Sequence, residues 1–134
     1  MDEESIITVV KQYFAHHVGD LVAVYVFGSV ARRTSRASSD VDIAVLFTAP
    51  PAPTLAGLPL EIAAELEQLL HRPVQIVALN DAPVDLVYRV LRDGVLVCEA
   101  NRAGRVAFEV KRRRECLDLV PMLRRYRQAA RSQI

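Results

Sequence analysis

The stretch Val22–Phe47, VAVYVFGSVARRTSRASSDVDIAVLF, restricts what this chain can become more than any other. Two apolar runs, Val22–Phe27 and roughly Asp40–Phe47, are rich in β-branched and aromatic residues and read as strands. Gly28-Ser29 stops the first, and the second opens on Asp40 and Asp42. Side chains two apart on a strand leave the same face, so the two carboxylates are expected to point together. Antiparallel pairing would bring the end of the first strand to the start of the second, and Ser29 to Asp40. Carboxylates held side by side repel unless a cation lies between them. Oxygen donors of that kind suit Mg²⁺, usually held by one or two carboxylates plus substrate phosphates.

The turn supplies the complement. Gly28 has no Cβ and lets a ligand approach the backbone. Ser29 offers a hydroxyl and could cap a short helix, Val30–Thr34, whose first N–H groups would face an anion. Phosphate on the Gly-Ser turn and metal on the aspartates outline a nucleoside triphosphate site. Arg32 and Arg33 follow the turn, and either could reach a phosphate or pair with a core carboxylate. Arg36 and the nearby serines read as a flexible, solvated loop. One alternative needs no nucleotide: Asp40 caps the loop and Asp42 pairs with Arg32 or Arg33. It leaves the Gly-Ser spacing unexplained.

Around this stretch the chain alternates helices and strands. Ser5 is expected to cap a helix over about Ile6–His17, with Ile6, Val9, Val10, Tyr13 and Phe14 on one stripe. His16 and His17 resemble a metal pair, but adjacent helical residues diverge, so a surface helix end is the plainer reading. The proline-rich Thr48–Pro59 reads as a surface loop, with a lid role unsupported. Leu60–Leu70 reads as an amphipathic helix and Val74–Leu79 as a third strand. Asn80 or Asp81 is expected to cap a helix over Ala82–Asp93, which Gly94 ends before a short strand, Val95–Glu99. From Arg102 the chain reads as helical, with a break or kink at Pro121. The 134 residues therefore predict one domain, 1–134, of α/β or α+β class in at most three layers. No apolar run approaches the ~20 residues of a membrane span. The acidic start, Met1-Asp2-Glu3-Glu4, is unlike a secretory signal, and Cys98 and Cys116 sit in apolar segments as buried free thiols would, so a cytoplasmic protein is expected.

Gly28-Ser29 and Asp40-Val41-Asp42, flanked by strands, resemble the signature of minimal nucleotidyltransferases of the DNA polymerase β superfamily. Along most of the chain the wording Phe27-Gly28-Ser29-Val30-Ala31-Arg32, the helix before Gly94 and the ending around Phe108-Glu109 look like MntA-type antitoxins. The resemblance implies a nucleotidyltransferase fold with a mixed sheet of about four strands flanked by helices. It implies Mg²⁺ and, as substrate, ATP. It also implies a partner HEPN ribonuclease toxin, neutralised by transfer of AMP to a tyrosine hydroxyl, with a hetero-oligomer as one form of the pair. Gly28, Ser29 and Arg32 would bind nucleotide; Asp40 and Asp42 would be catalytic and hold the metal. The family usually has a third carboxylate where this chain has Gln75. A neutral amide cannot act as a base and binds metal less strongly. Asp81 and Asp85 are the nearest substitutes in sequence, although a cap and a helix surface explain them adequately.

Charge is divided along the chain. Residues 1–101 carry 7 basic and 13 acidic side chains, a net −6, whereas residues 102–134 carry 10 basic and 3 acidic, a net +7. The basic C-terminal segment could dock a partner or stay a solvated face over Val110, Leu117, Val120 and Leu123. Only Tyr126 interleaves with its arginines, so nucleic acid is not the expected partner. Three functions remain to be separated: an adenylyltransferase acting on a protein; a degenerate nucleotidyltransferase that neutralises its partner by binding alone; and a small-molecule transferase, disfavoured for lack of room for a second substrate domain.

Overall fold

The computed structural model describes residues 1–16, 19–50 and 58–132. Helix α1 spans Glu3–Ala15, strand β1 Leu21–Phe27, the short helix α2 Gly28–Ala31 and strand β2 Val41–Phe47. Helix α3 (Leu58–Leu70), strand β3 (Val74–Ala78), helix α4 (Val84–Asp93), strand β4 (Val95–Glu99) and helix α5 (Arg102–Ser132) follow. The strands lie in the order β3-β2-β1-β4. Antiparallel pairs join β1 to β2 and to β4, while β2 and β3 run parallel across the α3 connection. This is the expected mixed four-stranded sheet flanked by helices.

Alternation along the strands builds two cores. All seven residues of β1 are buried, as a central strand covered on both faces requires. Val24 and Val26 join Ile6, Val10 and Phe14 of α1 and Ile62 and Leu66 of α3 on one face. Ala23, Tyr25 and Phe27 join Val87 and Val90 of α4 and Cys116 of α5 on the other. Burying each large aliphatic or aromatic side chain stabilises by roughly 1.5–3 kcal/mol. The same parity sorts β2: Val41, Ile43 and Val45 lie in the first core, Ala44 and Leu46 in the second. Asp42 therefore leaves the sheet on the α4 side.

Polar contacts tie α5 to this body. The Tyr25 hydroxyl donates to Glu109 at 2.8 Å, and Arg105 bridges Glu99 of β4 at 2.5 Å and Glu109 at 2.9 Å. Arg112 donates to the Ala82 carbonyl and pairs with Glu115 at 3.4 Å. Some of the basic segment's charge is thus committed to the fold instead of lying idle in solvent.

Several boundaries differ from expectation, each for a local reason. Asp2, not Ser5, caps α1, accepting the Ser5 N–H at 2.8 Å, and the helix starts at Glu3. Neither Asn80 nor Asp81 caps α4; its N-cap is Pro83. The Asn80 side chain instead takes the place of a strand neighbour, accepting from the Phe47 N–H at 3.0 Å and donating to the Phe47 carbonyl at 2.8 Å. The helix runs through Pro121 without a second piece beginning there. Cys98 and Cys116 are free thiols, Cys116 buried and Cys98 partly so. His17, positions 51–57 of the proline-rich connection, and the side chains of Val120, Leu123 and Tyr126 lie outside the described residues. Among the described residues no helix is long and apolar enough to cross a membrane.

Candidate active site

The β1–β2 pairing sets the geometry. Phe27 lies opposite Asp42, so the residues after Phe27 and those before Asp42 share one end of the sheet. Gly28, Ser29 and Arg32 line one wall of a cleft of about 410 Å³ there, and Ser39, Asp40 and Asp42 line a second. Gln75 joins them because the parallel β2–β3 register sets it directly beside Asp42. Arg89, Arg92 and Asp93 of α4 complete the lining. Asp40 stands just before the first residue of β2, not within it as expected, yet it reaches the same cleft as Asp42.

Gly28 is required by Asp42. A Cβ at Gly28 would lie 2.3 Å from Asp42 Oδ2, and the residue has φ +71°, in the left-handed region where L side chains are strained. The glycine therefore makes room for a carboxylate as well as for a ligand. Ser29 does not cap a helix: α2 begins at Gly28, with extended Phe27 at its N-cap and no side-chain cap. Ser29 lies within that turn, and its carbonyl accepts the Thr34 N–H at 2.9 Å.

The segment between turn and aspartates is tethered, not free. Arg72 Nε and Nη2 donate to the Ser39 carbonyl at 3.0 and 2.8 Å, and Nη2 reaches the Arg36 carbonyl at 2.7 Å. The Ser35 hydroxyl donates to Glu3 at 2.9 Å, and Arg33 pairs with Glu4 at 3.6 Å. Arg33 is thereby drawn toward α1 and does not pair with Asp42.

Electrostatics mark Asp42. Burial pushes its carboxyl above the ordinary carboxylate range, the neighbouring Asp40 charge pushes it further, and Arg89 and then Arg32 pull it back. Two carboxylates lining one cleft, one of them disfavoured as an anion, form a donor set that a hard divalent cation would relieve, so Mg²⁺ fits the residues present. Among the described residues no group of three acidic, histidine or cysteine side chains could hold a metal. Asp81 and Asp85 are exposed and lie outside the lining, so neither replaces the carboxylate missing at Gln75.

Sequence reasoning missed Arg89, Arg92, Asp93 and Arg72. The α4 residues carried a usable signal: charges at 85, 89, 92 and 93 occupy one flank of a helix whose buried residues are Val87 and Val90. Arg92 is engaged, with Nε and Nη2 on Asp93 Oδ2 at 3.0 and 2.7 Å and its guanidinium 5.2 Å from the Tyr88 ring centroid.

A mixed sheet that brings a Gly-Ser turn against paired aspartates, within a cleft also lined by arginines, defines a nucleotidyltransferase. The chain belongs to the polymerase β nucleotidyltransferase family, whose profile matches residues 6–103. Along nearly its whole length it is similar to a toxin–antitoxin solved with AMP-PNP, at 27% identity over 99% of this chain and 98% of that one, with a TM-score of 0.67. It is also similar to a mutant MntA toxin–antitoxin, at 27% identity over 99% and 97% of the two chains, with a TM-score of 0.65. A tri-AMPylated Shewanella oneidensis HEPN toxin in complex with MNT antitoxin shares the fold, at 24% identity over 98% and 97%, with a TM-score of 0.64. No curated protein matches the chain in sequence.

Proposed function

We propose that this chain is the antitoxin of a toxin–antitoxin pair, a single nucleotidyltransferase domain over residues 1–134 that transfers AMP from ATP to a tyrosine hydroxyl of a partner HEPN ribonuclease in the cytoplasm. The observation that carries the reading is the convergence of Gly28, Ser29, Asp40 and Asp42 on one cleft. Near-full-length likeness to a toxin–antitoxin holding AMP-PNP supports the nucleotide and the class of partner.

In this reading Gly28, Ser29 and Arg32 hold the phosphates. Asp40 and Asp42 hold Mg²⁺, which when bound neutralises phosphate charge and orients the reacting groups. The acceptor oxygen forms a bond to the α-phosphorus, the bond from that phosphorus to the bridging oxygen breaks, and pyrophosphate leaves. The tyrosine proton passes to water, because Gln75 beside Asp42 cannot accept it. The chain contributes chiefly position and charge balance.

A second reading rests on Gln75. With an amide where the family usually has a third carboxylate, the protein would neutralise its partner by covering it, without transfer. Incubation with ATP, Mg²⁺ and a candidate HEPN partner separates the two. Partner mass rising by whole AMP units supports transfer. An unmodified partner in a stable, inactive complex establishes neutralisation by binding alone.

A further inference from the structure

We propose that Arg89 reads the triphosphate, gripping the phosphates that ATP has and AMP lacks, so that the cleft distinguishes substrate from a nucleoside monophosphate. The inference rests on the ATP reading above and adds to it a residue outside the Gly-Ser and aspartate motif.

The charges in the cleft lead to it. Its carboxylates are Asp40, Asp42 and Asp93, and its guanidinium groups are Arg32, Arg89 and Arg92. Arg92 and Asp93 neutralise each other through two hydrogen bonds to one carboxylate oxygen, at 3.0 and 2.7 Å. A divalent cation would neutralise Asp40 and Asp42. Arg89 and Arg32 are then the uncommitted cations, and neither guanidinium makes a hydrogen bond or an ion pair among the described residues. Arg32 follows the Gly-Ser turn directly, at the C-cap of α2, on the wall built by the motif. Arg89 lines the same cleft from α4, a helix whose Val87 and Val90 are packed into the second core. Its backbone is fixed while its side chain is exposed. ATP carries more charge than one divalent ion cancels, and the excess lies on the phosphates farthest from the nucleoside. A planar, permanently charged fork on a rigid helix suits those oxygens. AMP carries only its α-phosphate, whose charge one divalent cation on Asp40 and Asp42 would cancel, leaving no excess for Arg89 to meet.

The test measures equilibrium affinity, so it does not depend on turnover. Titration calorimetry with ATP and with AMP, both in Mg²⁺, is run on wild type, R89Q, R89K and the surface control Arg114→Gln. R89Q should weaken ATP roughly 10–100-fold, as expected for loss of a charge-assisted hydrogen bond, and leave AMP unchanged. R89K should recover part of the loss, and Arg114→Gln should bind both as wild type does. R89Q that binds ATP as wild type does, or that loses ATP and AMP in equal proportion, overturns the role of Arg89. A wild type that binds neither nucleotide overturns the nucleotide reading itself.

Discussion

Replacing Gly28 by alanine tests the link between backbone and site. The added Cβ would stand 2.3 Å from Asp42 Oδ2, 3.2 Å from its Cγ and 3.4 Å from its Cβ. The nearest atom is the end of a side chain, so the carboxylate swings away and the sheet holds. The lasting stability cost is conformational: a non-glycine residue at φ +71° loses about 1–2 kcal/mol. For a chain of 134 residues this lowers Tm by roughly 4–7 °C. Function should fall much further. Displacing one of the two carboxylates proposed to hold the metal resembles loss of a group that orients a ligand, which costs roughly 10–100-fold in metal affinity. The assay pairs a thermal melt with calorimetric titration of Mg²⁺-ATP. Ile62→Val is the comparison, since it removes a methyl group from the first core, at roughly 0.5–1.5 kcal/mol, far along the chain from the turn. Gly28→Ala that binds Mg²⁺-ATP like wild type, or Ile62→Val that loses as much, would refute the reasoning.

Asp42→Asn removes a carboxylate that burial and Asp40 both disfavour as an anion, so without metal it should melt above wild type while losing Mg²⁺-dependent ATP binding; scanning calorimetry with and without EDTA checks both. Arg72→Ala frees the carbonyls of Arg36 and Ser39 and loosens the approach to Asp40, so Mg²⁺-ATP affinity should drop severalfold with little change in AMP-only binding, measured by titration. Gln75→Asp places a third carboxylate beside Asp42 and should raise the rate of AMP transfer to the partner, followed by intact mass; an unchanged rate would remove Gln75 as the limiting feature. Arg112→Ala removes the tether from α5 to the Ala82 carbonyl and should destabilise by about 1–3 kcal/mol, read from a urea melt.

The central strands and the turn between them were legible because their information is local. The short apolar run Val22–Phe27, rich in β-branched and aromatic residues and stopped by Gly28-Ser29, reads as a covered strand, and β1 begins only one residue earlier, at Leu21. Gln75 was singled out only through the family resemblance, and its place beside Asp42 is set by the parallel β2–β3 register, which no periodicity along a single strand specifies. Helix starts were less legible: Ser5 and Asp2 are both good caps, and only the geometry of the turn selects Asp2. Asn80 satisfied two backbone groups of a strand 33 positions earlier, which no cap rule anticipates. Arg72 and Arg89 were illegible for the same reason. Each acts across a tertiary gap, one on carbonyls 33 and 36 residues away and the other in the cleft that α4 shares with the motif. Nothing in the neighbourhood of Arg72 distinguishes it from an ordinary surface arginine, whereas Arg89 shares a charged flank of α4 with residues 85, 92 and 93, a signal that marks the flank without saying what it faces.

The cleft gathers around the Val41 end of β2, whereas the chain leaves that strand at Phe47, where Asn80 closes it. Seven residues of extended backbone separate the two ends by roughly 20 Å. Thr48, which follows Phe47 at the far end, is therefore the place to attach a fluorophore: a label there starts a strand's length from the chemistry, and the reporter and the catalyst can be tuned independently.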